Sequence, residues 1–185
     1  MSFLTKYIFL VVVFFGQLTF LNSQSKNYEL ITDHLNKASY FNKYNNDSSE
    51  FEIVKALSLI DIEFSVKSVS IENKQKLIQL KLRALLLDGL RLKSLQAFHQ
   101  AFKKFEEALR ISEYLQDKHQ MIMANNNIAI LYNELGETEL RDLYFERALD
   151  LCNQIEDYDY KKIITYNLSL FQLEEGMHEK SIETY

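Results

Sequence analysis

The feature that most constrains this chain is an internal repeat with a period of 40 residues. Shifting the sequence by 40 positions brings identical residues together, namely Phe105 with Phe145, Ala108 with Ala148, Asp117 with Asp157, Asn127 with Asn167 and Gly136 with Gly176. A fixed period of this size is typical of stacked repeats, in which one unit cannot bury its apolar face without a neighbour. The sequence therefore predicts a stacked array of short units.

Each period contains apolar residues at helical spacing. One helix face is formed by Phe98, Phe102, Phe105 and Leu109, and the next by Ile128, Leu131 and Leu135. The 185-residue chain has no proline and only four glycines, so it has few of the residues that turns of β-structures use. These observations predict an all-α fold in which each unit is a pair of helices.

A glycine marks the turn inside the middle helix pair. Gly136 follows the first helix, and the acidic residues Glu137 and Glu139 come directly after it. Glycine is favoured just past the end of a helix, and carboxylates stabilise the first turn of the next one. The sequence therefore predicts that one helix ends near Gly136 and another begins there.

At these positions the chain resembles the tetratricopeptide repeat (TPR) family. The middle unit supplies Ile128, Ala129, Tyr132, Gly136, Phe145, Ala148 and Leu149; the preceding unit supplies Gly89, Ala101, Phe105, Ala108 and Leu109; and the last supplies Leu168, Ser169, Gly176, Ser181 and Tyr185. The resemblance implies a right-handed α-solenoid of antiparallel helix pairs, with TPR-like repeats over 82–185 that start near 82, 122 and 162.

The chain also departs from the family pattern. The family's unit is about 34 residues long, whereas this period is 40 and lacks the closing proline, as in long-period members. Arg141 stands where a small residue is expected, so it either lays its stem along the helix contact and reaches water or marks a loosened contact. Gln172 replaces an expected tyrosine. The last unit ends at Tyr185, early in its second helix, so we expect the solenoid to be incomplete at this C-terminus.

Residues 1–23 are typical of a secretory signal peptide. They contain Lys6, no acidic residue, and an apolar stretch from Tyr7 to Phe15, with the small residue Ser23 before the expected cleavage point. The alternative is an uncleaved anchor, although the apolar stretch is shorter than the roughly 20 residues that a spanning helix needs. We therefore expect an exported protein, located in the periplasm or the cell envelope.

Residues 24–81 contain two further amphipathic helices joined by the polar segment NNDSS. Asp47 and Glu50 have the spacing of a capping box at the start of the second of these helices. The 40-residue period does not extend into this region. It is expected to be either a degenerate repeat or a pair of capping helices that shields the open end of the array.

Charge and motif content argue against several functions. The chain has 21 basic and 26 acidic residues and a formal net charge of −5, which disfavours a nucleic-acid partner. No histidine has a second His or Cys at the spacing of a metal site. Phosphate-binding, dinucleotide-binding and nucleophile-elbow motifs are also absent from the sequence. We therefore expect no catalysis, no cofactor and no metal.

The resemblance implies a concave face, built from the first helix of each unit, that binds a peptide. The residues assigned to this groove are Arg83, Lys93, Asn126, Asn127, Ile130, Asn133, Glu134, Tyr166, Asn167, Leu170 and Glu174. Asparagine carries both a donor and an acceptor, so Asn127 and Asn167 are able to hold a peptide backbone. The alternative is that these two amides bond between neighbouring helices.

Two functional hypotheses follow. The first is a non-catalytic exported scaffold that binds a protein or peptide. The second is the periplasmic sensory N-terminal part of a longer membrane signalling protein, resembling bacterial chains in which exported repeats precede a membrane span and a kinase or a DNA-binding regulator. Membrane contact is expected only if the leader is uncleaved or a span follows Tyr185.

Overall fold

The computed structural model describes residues 26–66 and 69–184. Within these residues all regular structure is helical, which confirms the all-α prediction. The predicted leader lies outside the described residues. The helices are α1 (26–41), α2 (Asn46–Ser65), α3 (Ile71–Ser94), α4 (Phe98–Leu115), α5 (Lys118–Glu134), α6 (Thr138–Ile155), α7 (Tyr158–Glu174) and α8 (His178–Thr184).

The described residues divide into two compact units, with the division in the chain between Lys81 and Leu82. In the first, α1 and α2 form an antiparallel hairpin: Asn27 Nδ2 donates to Glu63 Oε1 near its open end, and Ser49 Oγ donates to the Ala38 carbonyl near its turn.

The cap of α2 differs from the prediction. Asn45 is the N-cap, and its side chain accepts a hydrogen bond from the backbone N–H of Ser48. Asp47 lies inside the first turn, because the helix begins two residues earlier than the capping box required.

In the second unit the helices recur with the period of the sequence. Helices α4, α6 and α8 begin at Phe98, Thr138 and His178, and helices α5 and α7 begin at Lys118 and Tyr158. Helices that are neighbours in the chain pack together from α4 to α8, and α5 also touches α7. Two apolar clusters result. One is formed by α3, α4 and α5 around Phe105, and the other by α5, α6 and α7 around Phe145.

The turns of the second unit repeat as well. Gln96, Gly136 and Gly176 all have left-handed backbones, with φ of 58°, 75° and 76°. Gln116 and Glu156 form a second such series, with φ of 55° and 56°. Glu139 lies in the first turn of α6, as predicted, so the turn at Gly136 agrees with the sequence analysis.

Asp117 and Asp157 cap the two helices that follow the second series of turns. Their side chains accept hydrogen bonds from the backbone N–H groups of Gln120 and Tyr160, at 3.1 and 3.0 Å. A side-chain acceptor at this position satisfies one of the free N–H groups of a helix N-terminus. The matched pair of aspartates thus starts both helices in the same way.

Arg141 and Gln172, where a small residue and a tyrosine were expected, are both buried. Arg141 is only 1% exposed, and its guanidinium bonds to other side chains instead of reaching water. Gln172 is also 1% exposed, and its Oε1 has no hydrogen-bond partner among the described residues. Neither alternative predicted for Arg141 describes its position, because its guanidinium bonds to side chains from α5, α6 and the turn after α7.

Candidate functional site

The predicted groove residues lie on α3, α5 and α7, and side-chain hydrogen bonds connect these three helices. Lys93 Nζ on α3 donates to Asn127 Oδ1 on α5, at 3.2 Å. Asn167 Nδ2 on α7 donates to Asn126 Oδ1 on α5, at 3.3 Å. We call these four residues the amide row. The row shows that the first helices of successive pairs lie side by side.

Asn127 is the most buried member of the amide row. It is 8% exposed, its Oδ1 accepts from Lys93, and its Nδ2 donates to the Met123 carbonyl one turn earlier, at 2.9 Å. A side-chain amide offers two N–H donors and two acceptor lone pairs, so these bonds use half of its capacity. Both Asn127 and Asn167 therefore bond across neighbouring helices. The remaining capacity is larger at Asn126 and Asn167, which are only half-buried.

Lys93 is a half-buried cation within this row. Burial lowers the pKa of Lys93 below its ordinary value of 10.5, and the carboxylate of Glu134 offsets part of that decrease. Through its bond to Asn127, the Lys93 ammonium group places a positive charge in the row. Arg83, the other predicted cation, is half-buried further back on α3.

The acidic and amide residues at the far ends of the helices do not join the amide row. Asn133 Oδ1 accepts from Arg141 Nη1 at 3.1 Å, so this amide bonds toward α6. Glu134 and Glu174 are the exposed last residues of α5 and α7. Among the predicted groove residues, Asn133, Glu134 and Glu174 therefore lie outside the amide row.

Next to the row, α7 exposes apolar side chains. Tyr166 is 55% exposed and Leu170 is 37% exposed, whereas Ile130 on α5 is half-buried. Tyr166 borders two open cavities. One, of about 720 Å³, lies toward Lys161, Lys162 and Thr184, and the other, of about 430 Å³, lies between α7 and α8.

Two exposed apolar residues of the second cavity, Leu173 and Ile182, were not among the predicted groove residues. A signal for Leu173 was available, because Tyr166, Leu170 and Leu173 have the i, i+4, i+7 spacing of one helix face. Ile182 lies on the opposite wall, on α8, and its proximity depends on the turn between the two helices. Only the fold brings these walls together.

The described residues contain no group of three or more His, Cys, Asp or Glu side chains placed to hold a metal ion. Over the same ranges, no helix has the length and apolar character needed to cross a membrane. Cys152 is buried, and that burial raises the pKa of its thiol.

Comparison of the chain with known protein families, with curated proteins and with solved structures found no match.

Proposed function

We propose that this chain is a non-catalytic scaffold that binds a protein or peptide along the first-helix face of α5 and α7. We also propose that the second unit is a right-handed α-solenoid of antiparallel helix pairs, resembling tetratricopeptide repeats. The recurrence of helix starts, left-handed turns and aspartate caps every 40 residues supports this proposal. The side-by-side arrangement of α5 and α7 supports it too.

The observation that carries the binding proposal is the bond between Asn126 and Asn167 beside exposed Tyr166 and Leu170. The two amides have further donors and acceptors that suit a peptide backbone, and the tyrosine and leucine offer apolar contact area. Peptide sites commonly combine a few oriented polar groups with apolar walls. Half-buried amides and exposed apolar side chains lie together here, on helices that are held by a packed core.

The proposal is tested by selecting binders from a random peptide library displayed on phage, with the full chain as bait. Selected peptides are expected to lose affinity for Tyr166→Ser combined with Leu170→Ser. The matched control is Tyr114→Ser, because Tyr114 is 75% exposed on α4 and lies outside the amide row. Equal losses for both variants, or selection of no binder, would reject the proposed face.

We further propose that the protein is exported to the periplasm or the cell envelope. Its support is the composition of residues 1–23, which combine one lysine, an apolar stretch and no acid. Intact-mass measurement on the protein from its own host is expected to give a chain that begins at Gln24. A cytoplasmic species that retains Met1 or Ser2 would contradict export.

A further inference from the structure

The hairpin of α1 and α2 buries a carboxylate that has only part of the partners it needs. Glu63 lies in the last turn of α2 and is 3% exposed. Its Oε1 accepts a hydrogen bond from Asn27 Nδ2, at 2.6 Å. Its Oε2 is inaccessible to solvent and forms no hydrogen bond within the described ranges. Such an atom is rare in folded proteins, because a buried acceptor without a bond costs free energy.

A second buried oxygen without a partner lies near Glu63. Tyr28 follows Asn27 on α1 and is 4% exposed, and among the described residues its hydroxyl has no hydrogen-bond partner. Burial raises the pKa of this hydroxyl, and the negative charge of Glu63 raises it further. The two groups are therefore close enough to interact. The contact between α1 and α2 thus brings a carboxylate, a phenol and an amide together.

We call Asn27, Tyr28 and Glu63 the hairpin cluster. Lys76 on α3 is exposed, and its Nζ lies over the Tyr28 ring, 4.8 Å from the ring centroid. It forms no hydrogen bond to Glu63 Oε2. Lys26, beside Asn27 in the sequence, is exposed as well.

The position of Glu63 on its helix adds to the need for a cation. The last turn of α2 contains no basic residue. The C-terminal end of a helix carries partial negative charge, so a carboxylate in the last turn is unfavourable unless a cation lies beside it. Buried charges in proteins are paired or bound to a metal ion.

The chemistry of the hairpin cluster indicates which cation fits. Carboxylate, phenol and amide oxygens are hard ligands, of the kind that hard cations prefer. The cluster has one carboxylate, which balances one positive charge. The described residues provide no group of three acidic, histidine or cysteine side chains that would suit a divalent or transition-metal ion. The cluster therefore favours a monovalent cation.

We propose that the hairpin cluster binds a monovalent cation, sodium or potassium, between Glu63 Oε2 and the Tyr28 hydroxyl oxygen. The cation neutralises the buried carboxylate and contacts the two oxygens that have no partner in the polypeptide. The Asn27 amide holds the carboxylate in place through Nδ2, and its own oxygen is a third ligand. This site is independent of the proposed peptide-binding face, which is built from α5 and α7.

The test compares thermal unfolding of the full chain in sodium chloride, potassium chloride and N-methylglucamine chloride at equal ionic strength. N-methylglucamine is too large for an interior site, so it controls for charge screening. A ligand that binds only the folded state raises the melting temperature as its concentration rises. We expect a gain of about 3 °C when sodium or potassium replaces about 200 mM N-methylglucamine. Equal melting temperatures in the three salts would overturn the inference.

Sodium-23 NMR supplies a direct readout, since bound sodium broadens the resonance and added potassium is expected to reverse that broadening. Glu63→Gln is expected to abolish both the broadening and the salt dependence, because it removes the charge and keeps the shape. Tyr28→Phe removes one ligand and is expected to raise the sodium concentration at half-effect about fivefold. If Glu63→Gln fails to fold, Tyr28→Phe decides the question, and an unchanged sodium dependence in that variant would contradict the site.

The matched control is Glu52→Gln on the same helix, because the Glu52 carboxylate already bonds to His34. A loss of sodium dependence in this control equal to that in Glu63→Gln would mean a general effect of charge, and the inference would fail. Lys67 follows Glu63 by four positions and lies outside the described residues. A sodium dependence that appears only in Lys67→Met would identify Lys67 as the natural counter-ion and would also overturn the inference.

Discussion

Both carboxylate oxygens of Glu175 accept hydrogen bonds from the guanidinium of Arg141, which precedes it by 34 positions. Arg141 Nε donates to Asp142 Oδ1 at 2.9 Å, and Nη1 also donates to Asn133 Oδ1 at 3.1 Å. Burial lowers the pKa of Arg141, but the bonds to Glu175 and Asp142 outweigh burial and raise the pKa above its usual value. A buried cation thus joins α6 to the turn after α7.

We expect Glu175→Ala to lower the free energy of unfolding by about 2 kcal/mol, because it leaves the buried guanidinium without its main counter-ion. The effect is below the roughly 3–5 kcal/mol of a fully buried pair, since Asp142 remains and the Glu175 side chain is 25% exposed. Arg141→Met is expected to cost less, because it removes the charge and keeps an apolar stem. Urea unfolding of both variants measures the difference. A larger loss for Arg141→Met would show that the pair adds net stability.

The second prediction concerns Gly89, which lies in α3 against the ring of Phe105. A Cβ at this position would lie 2.5 Å from Phe105 Cε1, and Phe105 is fully buried. Gly89→Ala is therefore expected to destabilise the chain by about 1–3 kcal/mol, because the overpacked ring has nowhere to move. Combining it with Phe105→Leu should make the cost of the added methyl group smaller than in the parent chain. Thermal melting of the four proteins in this cycle tests the contact, and additive effects would contradict it.

The third prediction uses the repeated left-handed turn. Gln96 and Gly136 occupy equivalent positions, with φ of 58° and 75°, and no atom lies within 4 Å of a Cβ built on Gly136. Because a side chain in this conformation costs about 1–2 kcal/mol, Gln96→Gly is expected to stabilise the chain and Gly136→Gln to destabilise it. Urea midpoints that move in the same direction for both variants would show that the two turns are not equivalent.

The fourth prediction concerns Lys93, whose pKa is lowered in the folded state by burial. Between that lowered pKa and the unfolded value of about 10.5, the unfolded chain binds more protons, so this residue's contribution to stability becomes more favourable as pH rises. We expect the wild type to gain stability relative to Lys93→Met as the pH rises toward about 10.5. Urea unfolding of both proteins across this range is the measurement. Parallel pH dependences would indicate that Lys93 is solvated in the folded state.

Several parts of the fold could be predicted because they depend on residues close together in the chain. Apolar spacing within each period indicates a helix, and Gly136 indicates where one ends, since these signals act over one or two turns. The cap of α2 was predicted wrongly, because Asn45 and Asp47 are both good capping residues and a shift of two positions separates them. Local signals therefore identify the element and leave its first residue uncertain.

The candidate site could be predicted only in part. The 40-residue alignment placed Asn126, Asn127 and Asn167 on first helices, and the structure joins them there into the amide row with Lys93. Neither the choice of Asn126 as the partner of Asn167 nor the wall formed by Ile182 follows from the period. Both depend on how far one helix is rotated and shifted against the next, and that is decided by packing of the whole unit.

By itself, the sequence determined the helical class, the 40-residue period and the chemistry of the turns, because short-range backbone preferences and apolar spacing decide these features. Only the tertiary structure decided where the buried polar groups find partners. In the sequence, Arg141 is a charged residue at a position where a small residue is expected. In the fold, its guanidinium bonds to the carboxylate of Glu175 across the contact between α6 and the turn after α7. Hydrogen bonds between residues far apart in the chain need the helices to be packed first, and the close packing of side chains fixes that arrangement.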